Sequence, residues 1–168
     1  MNKEILASIN IVQDEQTIKT VENLGIEIWN EHYMNIISKE QIDYMLNKFQ
    51  SFSAIKSQIN EGYIYYLLNY ASNNVGYFSI QKNEKSLFLS KLYIKKDYRK
   101  LGIGRAALDF IKKEATALGL NNINLVVIKN NKNSITAYIK NGFTIDKEII
   151  TEIGNGFIMD DYVMSYKF

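Results

Sequence analysis

The stretch Asp97–Leu108, DYRKLGIGRAAL, decides how this 168-residue chain is read. Gly102 and Gly104 stand two apart, behind Arg99 and Lys100 and ahead of an apolar run. Upstream, LFLSKLYI (87–94) reads as a strand. Downstream, Ile103, Ala107, Phe110, Ile111 and Leu118 line a helix ending near Gly119. The first amides of that helix have no intrahelical partner and point along its axis toward the loop. Together with the helix dipole they favour an anion. The two glycines remove side chains where phosphate oxygens would approach the backbone, and they permit positive φ. Arg99, Lys100 and Arg105 add charge at the rim, so a phosphate or pyrophosphate is the expected guest.

Three loop patterns compete for that guest. The triphosphate-binding loop needs G-x-x-x-x-G-K-[ST], which is absent. The dinucleotide pattern G-x-G-x-x-[GA] is formally met by Gly102, Gly104 and Ala107, but its context fails. The preceding strand belongs to an antiparallel meander, and LVVIKNN stands where a ribose-binding acid should close the next strand. The third pattern, R-x-x-G-x-[GA], is met in full by Arg99, Lys100, Leu101, Gly102, Ile103 and Gly104, between a strand and a helix.

Working outward, EILASINIV (4–12) reads as a first strand, and Asp14 offers an N-cap for a helix over 15–30. Ser38–Gln41 carries a capping-box pattern that opens a second helix, and a short third helix is expected over 53–61. YIYYLLNY (63–70), VGYFSI (75–80) and LFLSKLYI form the meander, turning at SNN and QKNEKS. INLVVI (123–128) is wholly apolar, as a strand covered on both faces is. A helix over 132–141 ends on Gly142 in left-handed geometry. FTIDKEII and FIMDDYVMSYKF close the chain as a hairpin turning at GNG. The expected fold is α/β, one domain over 1–168: a mixed, mainly antiparallel sheet of about seven strands flanked by helices.

Composition narrows the function. Twenty basic against 18 acidic residues leave a net charge of +2, which gives no support for a nucleic-acid partner. Cysteine is absent, so no thiolate nucleophile or cysteine metal site exists, and the single histidine, His32, makes no zinc site alone. The first ten residues lack the apolar run of a signal peptide, and no segment approaches a membrane span. A cytoplasmic protein without metal or membrane partner is expected.

Two separate segments carry a family resemblance. LYIKKDYRKLGIGRAAL contains the R-x-x-G-x-[GA] loop, and NKNSITAYIKNGF (131–143) is similar to the stretch N-x-x-A-x-x-x-Y-x-x-x-G-F of the GNAT superfamily of acyl-CoA-dependent N-acetyltransferases. Asn131, Tyr138, Gly142 and Phe143 match, while Ser134 replaces the usual alanine. Order and spacing agree, and the element order resembles that fold over nearly the whole chain.

The resemblance implies that strands 87–94 and 123–128 lie side by side but splay apart. The pantetheine arm of acetyl-CoA then adds to Leu92, Tyr93 and Ile94 like an extra strand. The pyrophosphate sits on the loop from Arg99 to Arg105, a backbone amide polarises the acetyl carbonyl, and Asn131 bonds the cofactor arm. Tyr138 becomes the acid that protonates the leaving thiolate. The acceptor is implied to be a primary amine of a small molecule, with weaker likeness to bacterial polyamine-acetylating enzymes in EHYMNIISKEQIDYML and GFIMDDYVM. An alkyl amine with a pKa of about 10.4 is neutral about once in 10³ molecules at pH 7, so a base is expected. Many relatives carry a glutamate on the strand before the loop; here Ser90 and Lys91 stand there, leaving Glu31, Glu84, Asp160 and Asp161 as candidates. Trp29, His32 and Tyr33, with Asp160, are the expected acceptor contacts. Two alternatives stay open, a protein or peptide N-acetyltransferase and a non-catalytic acyl-CoA sensor, and so does a homodimer.

Overall fold

The computed structural model describes residues 7–168; Glu4–Leu6 of the expected first strand lie outside the described residues. The chain forms β1 (Ala7–Ile11), α1 (Glu15–His32), α2 (Lys39–Phe49), α3 (Phe52–Asn60), β2 (Tyr63–Tyr70), β3 (Asn73–Lys82), β4 (Leu87–Ile94), a 3-10 turn (Lys96–Tyr98), α4 (Ile103–Ala117), β5 (Asn122–Ile128), α5 (Lys132–Lys140), β6 (Thr144–Gly154) and β7 (Phe157–Lys167). The seven strands make one sheet in the order β1-β2-β3-β4-β5-β7-β6. Every neighbouring pair is antiparallel except β4–β5.

Local chemistry explains the ends of these elements. Asp14 accepts the Thr17 amide at 2.8 Å, and Thr17 Oγ1 lies 3.3 Å from the Asp14 amide, a reciprocal cap on α1. Ser38 caps α2 through the Gln41 amide. The β2–β3 turn is tighter than SNN implied. Ala71 and Ser72, both at positive φ, make a two-residue turn, so pairing extends to Tyr70 and Asn73. The last hairpin turns at Asn155-Gly156, and Gly142 takes positive φ after α5.

The sheet buries both faces. On one, Ile103, Ala107, Leu108 and Ile111 of α4 pack against Leu68, Phe78, Leu89, Ile123 and Leu125. Ile135 and Tyr138 of α5 close the same cluster. On the other face, Ile18, Val21, Leu24 and Ile28 of α1 meet Tyr65, Leu67 and Tyr77. Farther along, Trp29 and Tyr33 join Ile42, Met45 and Leu46 of α2 against Ile128 and Ile153. The helical spacing of these apolar positions leaves each helix with one buried stripe.

One residue sets how closely β3 and β4 approach. Gly76 pairs with Ile94, and a Cβ on it would stand 2.3 Å from the Tyr93 carbonyl oxygen. Backbone cannot yield as a side-chain tip can. Gly76→Ala is therefore expected to lower unfolding free energy by about 1–3 kcal/mol, the usual cost of overpacking. Urea titration followed by circular dichroism measures this; an unchanged midpoint would contradict the close approach.

Candidate active site

The parallel pair β4–β5 is short. Leu87 pairs with Ile123 and Phe88 with Asn124, and there the pairing stops. Beyond it β4 runs on to Ile94 and β5 to Ile128 without joining. Just past the last pair, β4 carries a bulge: Ser79 pairs with Lys91 and Ile80 with Leu89, leaving Ser90 without a partner. The gap opens into a cavity of about 580 Å³ lined by Leu89–Tyr93, Leu125–Ile128, Asn131, Tyr138, Asp161, and by Trp29, His32, Tyr33, Met45 and Phe49 of α1 and α2.

The loop beyond β4 is shaped as an anion cradle. Lys100 at φ 62° and Gly102 at φ 84° alternate into left-handed geometry before α4 begins. The first intrahelical bond runs from the Ala106 amide to the Gly102 carbonyl. The amides of Lys100 through Arg105 have no protein acceptor among the described residues. Successive free amides in such a turn, at a helix N-terminus, bind phosphate oxygens. A Cβ on Gly104 would meet only the Ile94 side chain, at 3.4 Å. Leu101 is exposed, whereas Ile103 is buried and anchors the cradle to the core.

Arg99 takes a different place from Lys100 and Arg105. Its Nε donates to the Ile94 carbonyl at 3.0 Å, and its two terminal nitrogens grip both Glu31 oxygens at 3.1 and 2.7 Å. The guanidinium therefore braces the loop against α1, and its own amide donates to Lys96. A bidentate pair of this kind fixes geometry more than it adds energy at a half-exposed site. The Arg99 bonds also hold the Glu31 carboxyl below its ordinary pKa, so it is poorly suited to take a proton.

Asn131, which precedes α5, is buried, and its Oδ1 lies 3.0 Å from His32 Nε2. An amide oxygen only accepts, so Nε2 carries the hydrogen. Burial, with Arg99 nearby, lowers the His32 pKa. Trp29, Tyr33 and Tyr93 form an aromatic wall, with Trp29 4.4 Å from Tyr33 and 5.6 Å from Tyr93 between ring centres. Burial pushes the Tyr33 phenol up to about 12. Tyr138 lines the cavity from α5, its ring held against Phe143 at 5.5 Å. Burial raises its phenol well above the ordinary value, so it is protonated and able to donate at neutral pH.

Of the remaining acids, Glu84 is exposed in the β3–β4 turn, at the opposite end of β4 from the loop. Asp160 and Asp161 alternate across β7. Asp160 is half-exposed, bound to Lys129 at 2.8 Å, and does not line the cavity, whereas Asp161 is buried and does. The strand's two-residue period separates the pair. The structure thus gathers Trp29, His32, Tyr33, Asn131 and Tyr138 around one cavity and leaves Asp160 outside it.

Lys91 is the residue the sequence did not bring forward. It is 7% exposed, and its Nζ donates to the Phe49 carbonyl at 2.5 Å, to Gln58 Oε1 at 2.9 Å and to the Tyr65 hydroxyl at 2.6 Å. The Tyr65 hydroxyl in turn donates to Gln58. Lys91 therefore ties β4 to α2, α3 and β2 with no carboxylate partner. The sequence marked it only as standing, with Ser90, where the resemblance implies a glutamate.

The sheet parts at its one parallel pair among the described residues, a run of free amides follows β4, and the partly buried Tyr138 lines the cavity between the parted strands. Residues 24–143 match the family model described as acetyltransferase (GNAT) family, and the chain belongs to that family. It is an acetyltransferase that draws on acetyl-CoA. Similar folds include the PaiA N-acetyltransferase from Thermoplasma acidophilum in complex with coenzyme A, 24% identical over 96% of this chain and 99% of that one, TM-score 0.77. A GCN5-related N-acetyltransferase from Rhodopseudomonas palustris is 15% identical over 96% and 95%, TM-score 0.81. A chimera of the Vibrio cholerae spermidine N-acetyltransferase SpeG and hSSAT is 18% identical over 96% and 95%, TM-score 0.70.

Lys91 gives a prediction about stability. Burial lowers its pKa from 10.5 to about 7. Between those values the unfolded chain binds a proton that the folded chain lacks, so this residue adds stability as pH rises from about 7 toward 10. Below about 7 the buried ammonium counts fully against folding. Lys91→Met is expected to remove that dependence, so wild type gains on the variant between pH 6.5 and 9 in urea titrations. Parallel stability curves would contradict it.

Proposed function

We propose that the chain moves the acetyl group of acetyl-CoA to a primary amine of a small molecule, with a polyamine as the first candidate, by direct attack with Tyr138 as general acid. The observation that carries this reading is the cavity where β4 and β5 part, which brings Tyr138 together with the aromatic wall of Trp29, Tyr33 and Phe49 at the end of β4 that leads into the loop of free amides. In it the pantetheine arm pairs with Leu92, Tyr93 and Ile94 where β5 has left β4. The pyrophosphate rests on the amides of Lys100 to Arg105. Arg99 holds that loop in place, and the Asn131 side-chain amide bonds the arm. The whole of residues 1–168 acts as one catalytic domain.

Three contacts favour a small acceptor over a peptide. A peptide acetyltransferase needs an open cleft beside the final hairpin. Here α2 is docked on that hairpin: Tyr44 donates to the Ile153 carbonyl at 2.7 Å, Lys48 to the same carbonyl at 2.5 Å, and Gln41 to the Ile158 carbonyl at 3.1 Å. The chamber beneath is walled by Trp29, Tyr33 and Phe49, surfaces that suit an alkyl amine by cation–π contact. The similarity to the spermidine-acetylating chimera is consistent with this, and a protonated Tyr138 favours turnover over mere sensing.

Thiol release from acetyl-CoA is the direct test. Release is expected with spermidine or another small amine and not with peptides bearing lysine or a free N-terminus; the reverse pattern would assign the peptide activity. In the same assay Tyr138→Phe is expected to lose about 10²- to 10⁴-fold in kcat with acetyl-CoA binding changed little. An unchanged kcat would remove Tyr138 from the chemistry.

A further inference from the structure

The chamber contains one carboxylate that the fold does not use. Asp161 sits on β7 opposite Ile128 of β5 and Ile149 of β6, and is 4% exposed. Its Oδ1 is buried with no hydrogen-bond partner among the described residues. An ionised carboxylate left without a partner in such a place is costly, so the site calls for a ligand that supplies the missing donor. The cavity it lines is the one that holds Tyr138.

We propose that Asp161 is the catalytic base that takes the proton from the acceptor's ammonium group. This rests on the acetyl-transfer reading above. The acceptor enters as an ammonium, gives one N–H proton to the Asp161 carboxylate, and its freed lone pair forms the C–N bond at the thioester carbonyl carbon. When the C–S bond breaks, its electron pair goes to sulfur, which takes the Tyr138 hydroxyl proton. The extra proton on the new amide nitrogen returns to the Tyr138 phenolate, and Asp161 releases its own to water. One ammonium and one thioester thus give one amide, one thiol and one proton.

The surroundings suit that task. Burial, reinforced by Asp160, pushes the Asp161 carboxyl up to about 6, and Lys129 opposes the shift. Tyr33 faces it from just beyond α1, Ile128 and Ile149 stand directly opposite on β5 and β6, and the other titratable side chains lining the cavity include His32, Glu61, Lys91 and Tyr138. His32, also in the cavity, donates its Nε2 hydrogen to Asn131, and burial lowers its pKa, which weakens Nδ1 as a base. A base titrating near pH 6 is ionised at neutral pH yet far more basic than an ordinary carboxylate, close to the best compromise for proton transfer.

The test compares two acceptors on wild type, Asp161→Asn and Asp161→Glu. Spermidine is cationic at pH 7; methoxyamine is already neutral and needs no base. In wild type, kcat/KM for spermidine is expected to rise through about pH 6 and level off. Asp161→Asn is expected to lose about 10²- to 10⁴-fold with spermidine, and to replace the plateau with a rate still rising at pH 9. It should lose less than tenfold with methoxyamine, and Asp161→Glu should recover part of the spermidine rate. Calorimetry of coenzyme A with Asp161→Asn checks that the slot is intact. Equal losses with both amines, or a variant that keeps the limb near pH 6, would overturn the assignment. A wild type that acetylates neither amine would instead overturn the reading beneath it.

Discussion

The end of pairing between β4 and β5 after Phe88 is the constraint on which the rest of this structure depends. Two parallel strands in mid-sheet would ordinarily stay bonded along their length, because unpaired backbone groups in a protein interior are costly. Here neighbouring features keep them apart. The bulge at Ser90 twists β4 just past the last pair. Tyr93 is packed among Trp29, Tyr33 and Tyr77, which commits the end of β4 to α1 and β3 instead of β5. On the far side β5 is held by β7 along its whole length. The backbone left free is the edge on which the proposed cosubstrate pairs, and the loop amides continue that edge to the phosphates.

Much of this was legible in the sequence because it is written locally. Gly102 and Gly104 behind Ile94 announced a strand, a left-handed glycine turn and a helix, and all three are present. The alternating and helical periods of the apolar residues placed the strands and helices to within a few residues, because burial of one face enforces those periods. The β2–β3 turn was drawn too long, since Ala71 and Ser72 adopt positive φ without a glycine to signal it.

What local pattern could not show is how side chains far apart in sequence meet. Arg99 belongs to the loop motif, but its grip on Glu31 spans 68 positions, and only the packing of α1 beside β4 brings them together. Lys91 looked like a departure from the expected glutamate; its three acceptors come from α2, α3 and β2. Asp160 and Asp161 looked like one acidic pair until the strand placed one outside and one in the chamber. The two buried charges of the cavity differ in the same way. Lys91 is fully bonded within the protein and serves the fold, whereas Asp161 Oδ1 has no partner among the described residues and is the proposed base.

The most direct measurement of the central claim is amide hydrogen exchange with and without coenzyme A, at a ligand concentration shown by calorimetry to saturate the protein. New protection at Leu92–Ile94 and at Lys100–Arg105, with little change along β1 and β2, is the expected result. Saturated binding that leaves both segments unprotected, or protects a different face of the sheet, would contradict it.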